Sequence, residues 1–229
     1  FFSPMAYVIG AGFLAFMAVV FFFGLPGVAP IFATGREASL RPLFEMMAYS
    51  MIVAAPLLTM RLVSEEYRSG TIETLITAPI TDTEVILGKF LGVMCFYAVL
   101  LALTGVFAAL LGAFGELDPG LAAMGYLGML LLGAAYLSVG LFASSMTRYQ
   151  LVAAILGIGI LAAFVTLTYM LVTHAPEPIN AIAAKLNAMT YFKDFARGMF
   201  DTRGLVYFVT ATALLLLLSV KRLESQRWR

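Results

Sequence analysis

Polar and apolar positions in this chain are segregated into blocks rather than interleaved. No Asp, Glu, Lys or Arg occurs from Phe1 to Gly35, from Phe90 to Gly115, from Pro119 to Thr147, from Tyr149 to Pro176 or from Gly204 to Val220. Crossing a hydrocarbon core of about 30 Å takes roughly 20 apolar residues at a rise of about 1.5 Å each. Four of the blocks reach that length, and the last, at 17 residues, falls just short. The pattern predicts an all-α, polytopic membrane protein with six transmembrane helices in one domain over residues 1–229.

The expected spans are about 5–24, 43–60, 81–114, 118–145, 150–173 and 205–220, and local signals set their ends. Ser3-Pro4 and Asp118-Pro119 each place a capping side chain before a proline at the first helical position, where no N–H is needed. Thr81-Asp82-Thr83-Glu84 reads as a capping box directly ahead of Val85-Ile86-Leu87. Gly24-Leu25-Pro26-Gly27 stops the first span, Pro56 is an expected kink in the second, and Pro176-Glu177-Pro178 follows the fifth. Between spans five and six, Ile179, Ile182, Ala183 and Leu186 share a helical face. Phe192, Phe195, Ala196 and Met199 share another, with Lys193, Asp194 and Arg197 opposite. Segments of this kind lie in the membrane interface or dip partly into it, so interfacial helices are expected over about 179–199.

Composition agrees and narrows the function classes. The chain is 62% hydrophobic and 12% charged, where a soluble domain is about a quarter charged. A net charge of +1 says nothing about partners, and no nucleic acid is expected among them. The first apolar run lacks the basic leader of a secretory signal peptide, and an opening on Phe1 rather than Met leads us to expect further residues upstream. One cysteine, Cys95, and one histidine, His174, offer neither a disulfide framework nor a metal cluster. Leu87-Gly88-Lys89 lacks the upstream glycine and the following hydroxyl of a P-loop, so no ATP site is expected on this chain. Ser144-Ser145 has neither a nearby histidine nor a nucleophile elbow, which argues against a serine hydrolase.

Apart from the capping residues at the span starts, Glu45 is the only carboxylate placed within a span, and an intramembrane acid is a functional candidate by default. It lies about one turn from the span's end, with Arg41 at i−4, so a snorkelling local pair is the simpler reading. An intramembrane enzyme would need a paired acid and base, and Glu45 stands by itself. The 13 methionines, Met46, Met47 and Met51 among them, suit either an adaptable apolar pocket or ordinary packing. Gly10, Gly12, Gly133, Gly140, Gly157 and Gly159 would permit close helix contact.

One charged island interrupts the apolar pattern: Arg61-Leu-Val-Ser-Glu65-Glu66-Tyr-Arg68-Ser-Gly70-Thr71-Ile72-Glu73-Thr-Leu75-Ile76-Thr-Ala-Pro79. Charges are costly at membrane depth, so the island must lie in water. Ile72, Leu75, Ile76 and Pro79 follow the i, i+3, i+4, i+7 pattern, which predicts a short amphipathic helix of about two turns over 71–78. Gly70 would provide a flexible break before it and Pro79 a stop, with the Thr81 cap leading straight into the third span. Periodicity leaves two readings open, a docking helix or a solvated surface loop. With six spans the island, Lys89 just beyond it, the Arg148 turn and the tail from Lys221 share one side and carry eight of the 14 Lys and Arg. That excess weakly favours a cytoplasmic island and cytoplasmic termini.

The island resembles the signature of ABC-2 type transporter permeases. The matching residues are Glu65-Glu66-x-x-x-Gly70-Thr71-x-Glu73-x-Leu75-x-x-x-Pro79, followed by Glu84-x-x-x-Gly88-Lys89. Ser3-Pro4-Met-Ala-Tyr7, Leu57-Leu-Thr-Met-Arg61, Gly140-Leu-Phe-Ala-Ser144-Ser145-Met-Thr147-Arg148, Phe195-Ala-Arg197-Gly198 and Leu223-Glu-Ser-Gln-Arg227-Trp228 resemble its gliding-motility-type (GldF-like) branch. The resemblance implies a permease subunit of the bacterial inner membrane, whose coupling helix between spans two and three docks on a separate ABC ATPase. Glu65, Glu66, Arg68, Gly70, Thr71, Ile72, Glu73, Leu75, Ile76 and Pro79 are the positions that match that ATPase-coupling element. It further implies ATP and Mg on the partner ATPase, a second permease subunit forming a homodimer, membrane lipid around the spans and export of a substrate. An auxiliary membrane protein with an outer domain is a further implied partner. The family's amphipathic elbow helix would fall ahead of Phe1. A mechanical or scaffold subunit, passing ATP-driven motion to an outer-face partner without moving a solute, is the competing implication of the gliding-type likeness.

Overall fold

The computed structural model describes residues 4–24, 30–31, 40–70, 81–114 and 118–227. Nine helices occur among them, in the order α1 (Pro4–Phe23), α2 (Arg41–Thr59), α3 (Ser64–Ser69), α4 (Asp82–Phe114), α5 (Pro119–Met146), α6 (Gln150–His174), α7 (Ile179–Leu186), α8 (Ala188–Ala196) and α9 (Thr202–Arg227). Six runs of helix are long and apolar enough to cross a membrane: α1, α2 with its extension α3, α4, α5, α6 and α9. The protein is thus an all-α, multi-pass membrane protein. The expected amphipathic helix over 71–78 lies outside the described residues.

Two of the expected caps, at Asp118 and Thr81, are made by the side chains that the spacing suggested, while Ser3 lies outside the described residues. Asp118 Oδ1 accepts from Gly120 N at 2.8 Å at the start of α5. Ahead of α4, Thr81 N donates to Glu84 Oε2 at 2.8 Å while Glu84 N donates to Thr81 Oγ1 at 3.3 Å, a reciprocal capping box. Pro56 stands inside α2, which continues through it. Thr59, one turn on, returns its hydroxyl to Ala55 O at 2.9 Å.

α5 is the axis of the bundle. Of its most apolar stretch 72% is buried, against 33% in α1, α4 and α6 and 28% in α9. Small residues let neighbours approach that closely. A Cβ added at Gly140 would stand 2.1 Å from Thr59 Oγ1, and one at Gly133 would stand 2.2 Å from the Tyr97 ring. Gly12 and Gly159 differ from the expectation of close contact, since an added Cβ there would meet nothing within 4 Å. Met47 and Met51 are buried in the core with Phe44, and Met51 also borders a small apolar void with Ile9, Phe13 and Tyr97. The Tyr97 hydroxyl, fully buried, donates to Met129 O at 2.9 Å, which satisfies its polar end within the apolar interior.

The face that carries residues 60–70 is called here the island face. α1, α4 and α6 run away from it, and α2, α5 and α9 run back. On the opposite face α7 lies against α6 and leaves Ile179, Ile182 and Leu186 exposed, while α8 packs inward against α5. Phe192 and Phe195 of α8 are fully buried, and Asn187 caps the helix by accepting from Met189 N at 3.0 Å. Tyr207 of α9 donates to Leu186 O at 2.7 Å and stacks on Tyr191 with ring centroids 4.9 Å apart.

Candidate functional site

The island's first half is a six-residue helix, α3, and a helix so short does not persist in isolation. Its first N–H groups have no intrahelical acceptor, and its N-cap residue is Val63, whose side chain cannot supply one. The acceptor comes from another span. Ser144 Oγ, fully buried near the end of α5, accepts from Val63 N at 3.2 Å and Ser64 N at 3.1 Å. The same hydroxyl donates to Met60 O at 3.0 Å. One side chain therefore caps α3 from outside and ties down the turn that leads into it.

Two further spans hold the same corner. Lys89 Nζ, from the second turn of α4, donates to Leu62 O at 2.6 Å and forms an ion pair with Glu66. The paired side chains are only 19% and 24% exposed, so the pair is shielded from water and salt more than a surface bridge would be. Arg61 Nε donates to Gln150 Oε1 at 2.8 Å, at the first residue of α6. Below these contacts Thr59 lies against Gly140 and Pro56 against Gly157. The corner between α2 and α3 is thereby gripped by α4, α5 and α6 together. α3 ends at Gly70 with φ +72°, a left-handed C-cap that costs a glycine little.

On the other side of α3, Tyr67 sits within the electrostatic reach of Arg222 near the end of α9 and of Asp82 at the start of α4. The Tyr67 hydroxyl and Arg222 Nε are both buried without a hydrogen-bond partner among the described residues. A recess of about 290 Å³ opens between α1, α2, α3 and α4, with Met5, Ala6 and Ile9 on its apolar side and Glu65, Glu66 and Lys89 on its charged side.

Of the residues singled out in the sequence, Glu65 is exposed and lines the recess, Glu66 is paired with Lys89, Arg68 is exposed in the last turn of α3 and Gly70 caps it. Thr71, Ile72, Glu73, Leu75, Ile76 and Pro79 lie outside the described residues. Arg41 is exposed and Glu45 half-buried. The spacing had not singled out Ser144, Gln150, Tyr67 or Arg222 for the site. Ser144 carried a faint signal, a hydroxyl pair at the island end of a span whose nearest charges are in water.

A family model described as "ABC-2 family transporter protein" matches residues 9–221. A comparison with curated proteins returned no match.

Proposed function

This chain belongs to the ABC-2 family of transporter proteins, and from that premise we propose how it is driven and what side of the membrane it is driven from. It is a membrane permease subunit of an ABC transporter, and such subunits partner an ABC ATPase. In our reading the ATPase binds Mg and ATP and docks on the island at the cytoplasmic face of a bacterial inner membrane, in a homodimeric permease of the GldF-like branch. Closure of the ATPases pushes on the coupling element over residues 65–79, and the spans tilt to export a substrate.

The observation that supports this reading best is the three-span grip on the α2–α3 corner by Ser144, Lys89 and Gln150. A push on a surface loop would dissipate in the loop. A push on α3 is delivered to α4, α5 and α6 through short, buried or half-buried polar contacts that have little slack. The sequence suggested a stiff connection only into the third span, through Pro79 and the Thr81 cap; the corner adds two more outlets.

The test is to co-express the chain with its partner ABC ATPase and to measure ATPase stimulation and export in reconstituted vesicles. Glu66→Gln, which keeps the shape and removes the charge, should lower stimulation about fivefold or more, within the usual range of coupling free energies. Full stimulation in both Glu66→Gln and Leu75→Asp would overturn the docking role. Stimulation without accumulation of any labelled solute would replace export by mechanical transmission.

A further inference from the structure

The face opposite the island carries a second cavity that the coupling reading does not use. It is a cleft of about 360 Å³ between α2, α6 and α8. Tyr49, Thr166, Tyr169, Thr190 and Lys193 converge on it. None of these five side chains makes a hydrogen bond or ion pair with another described residue, although the hydroxyls of Thr168 and Thr173 on the same α6 are satisfied by their own helix. Tyr49 lies eight residues into α2, roughly 12 Å along the helix from its far end at a rise of about 1.5 Å per residue. Hydrogen-bonding groups at such depth are costly when they have nothing to bind, and where they persist they mark a ligand path.

The chemistry of the cleft is one-sided. Lys193 is a cation, and no carboxylate among the described residues lines the cleft beside it. The nearest acid in sequence, Asp194, is turned to Arg197 at 4.0 Å. The hydroxyls of Thr166, Thr190 and two tyrosines are donors suited to oxygen acceptors. Val165 and Met189 supply an apolar side, and Asn187, whose Oδ1 is taken up by Met189 N, completes the lining. A cation flanked by hydroxyl donors fits a phosphate or carboxylate group. The apolar side, with exposed Val53 one turn from Tyr49 on the same face of α2, fits a hydrocarbon chain that stays in the bilayer.

We propose that this cleft binds an anionic amphiphile drawn from the membrane, with its acidic head on Lys193 and Thr190 and its chain leaving past Val165 and Met189. The assignment of that amphiphile as cargo rests on the transport reading above; its binding does not. Lys193 supplies the charge recognition, and Tyr49 and Tyr169 close the cleft from two helices.

The experiment measures binding of radiolabelled dodecyl phosphate to the purified full chain in phosphatidylcholine nanodiscs, with no ATPase present. Saturable binding is expected, weakened about tenfold or more by Lys193→Gln, the loss of one charge-assisted hydrogen bond. Lys193→Arg should retain binding, and Arg203→Gln, an exposed cation on the same face outside the cleft, should leave it unchanged. Thr190→Val, expected to weaken binding a few-fold by the loss of one neutral hydrogen bond, serves as a second probe that leaves the charge in place. Unchanged affinity in both Lys193→Gln and Thr190→Val would overturn the site. So would competition by dodecyltrimethylammonium equal to that of dodecyl phosphate, which would mean a merely apolar groove. Equal competition by inorganic phosphate would overturn the amphiphile. Because no ATPase is used, a failure here leaves the coupling role standing, and a failure of coupling in Glu66→Gln leaves this site standing.

Discussion

Ser144 shows how much one hydroxyl can decide at the scale of a residue. It satisfies two backbone donors and one acceptor at a buried corner, and it does so 80, 81 and 84 residues away from the groups it serves. Ser144→Ala leaves Val63 N and Ser64 N without an acceptor, and each buried donor left unsatisfied costs about 1–3 kcal/mol. We expect a loss of about 2–4 kcal/mol of stability at this corner. It would be read as faster proteolysis after Arg61 and Arg68, with the melting of the spans little changed. Gly133→Leu offers a contrast within the apolar core. Its side chain would collide with the Tyr97 ring, where even an added Cβ stands 2.2 Å away, and overpacking of this kind costs about 1–3 kcal/mol. Gly159→Leu should be nearly neutral in the same thermal-melt assay, because that glycine faces open space.

Among the elements, α3 is the most dependent on its surroundings. Its six residues are held at the N-terminus by Ser144, at the middle by Lys89 and at the C-terminus by Gly70. Gly70→Val places a β-branched residue at φ +72°, which costs about 1–2 kcal/mol and frays the last turn. Loss of the capping box by Thr81→Ala should cost about 1 kcal/mol at the start of α4. If the push on the island travels through both ends of this hinge, each variant should uncouple ATP hydrolysis from export while the chain still reaches the membrane. Vesicle transport measured per ATP hydrolysed checks this, and an unchanged ratio in both variants would show that neither end carries the push. The far-face pair α7 and α8 is the opposite case. α8 is anchored by fully buried Phe192 and Phe195, so it belongs to the bundle core rather than to its rim.

For the whole molecule, the arrangement fixes which segments share a side. Residues 60–70, the α5–α6 turn at Arg148 and the end of α9 gather on one face, and Asp118 and α7–α8 lie on the other. In a Cys95→Ser background, single cysteines at Glu65 and Arg148 should be labelled from the same side by a membrane-impermeant maleimide, and one at Asp118 from the opposite side. Labelling of Arg148 and Asp118 together would contradict the six-span topology.

Much of this architecture was legible in the chain itself. Charge-free blocks of bilayer length specify spans because an unpaired charge cannot remain in hydrocarbon, and the caps at Thr81 and Asp118 are local pairs that neighbouring residues complete unaided. The family match to residues 9–221 agrees with the likeness that the island motif carried. The corner was not legible, because its partners are far apart in sequence. Ser144 meets Val63 across 81 residues, Lys89 meets Glu66 across 23 and Arg61 meets Gln150 across 89. A serine, a lysine and a glutamine have no periodicity that announces such a meeting. The cleft at Lys193 was hidden for the same reason, since Tyr49, Thr166 and Lys193 come from three separated helices. Solvation of each segment is a local property and is written along the sequence. Which polar groups find one another inside the bundle depends on how six helices pack, and only the tertiary structure decides it.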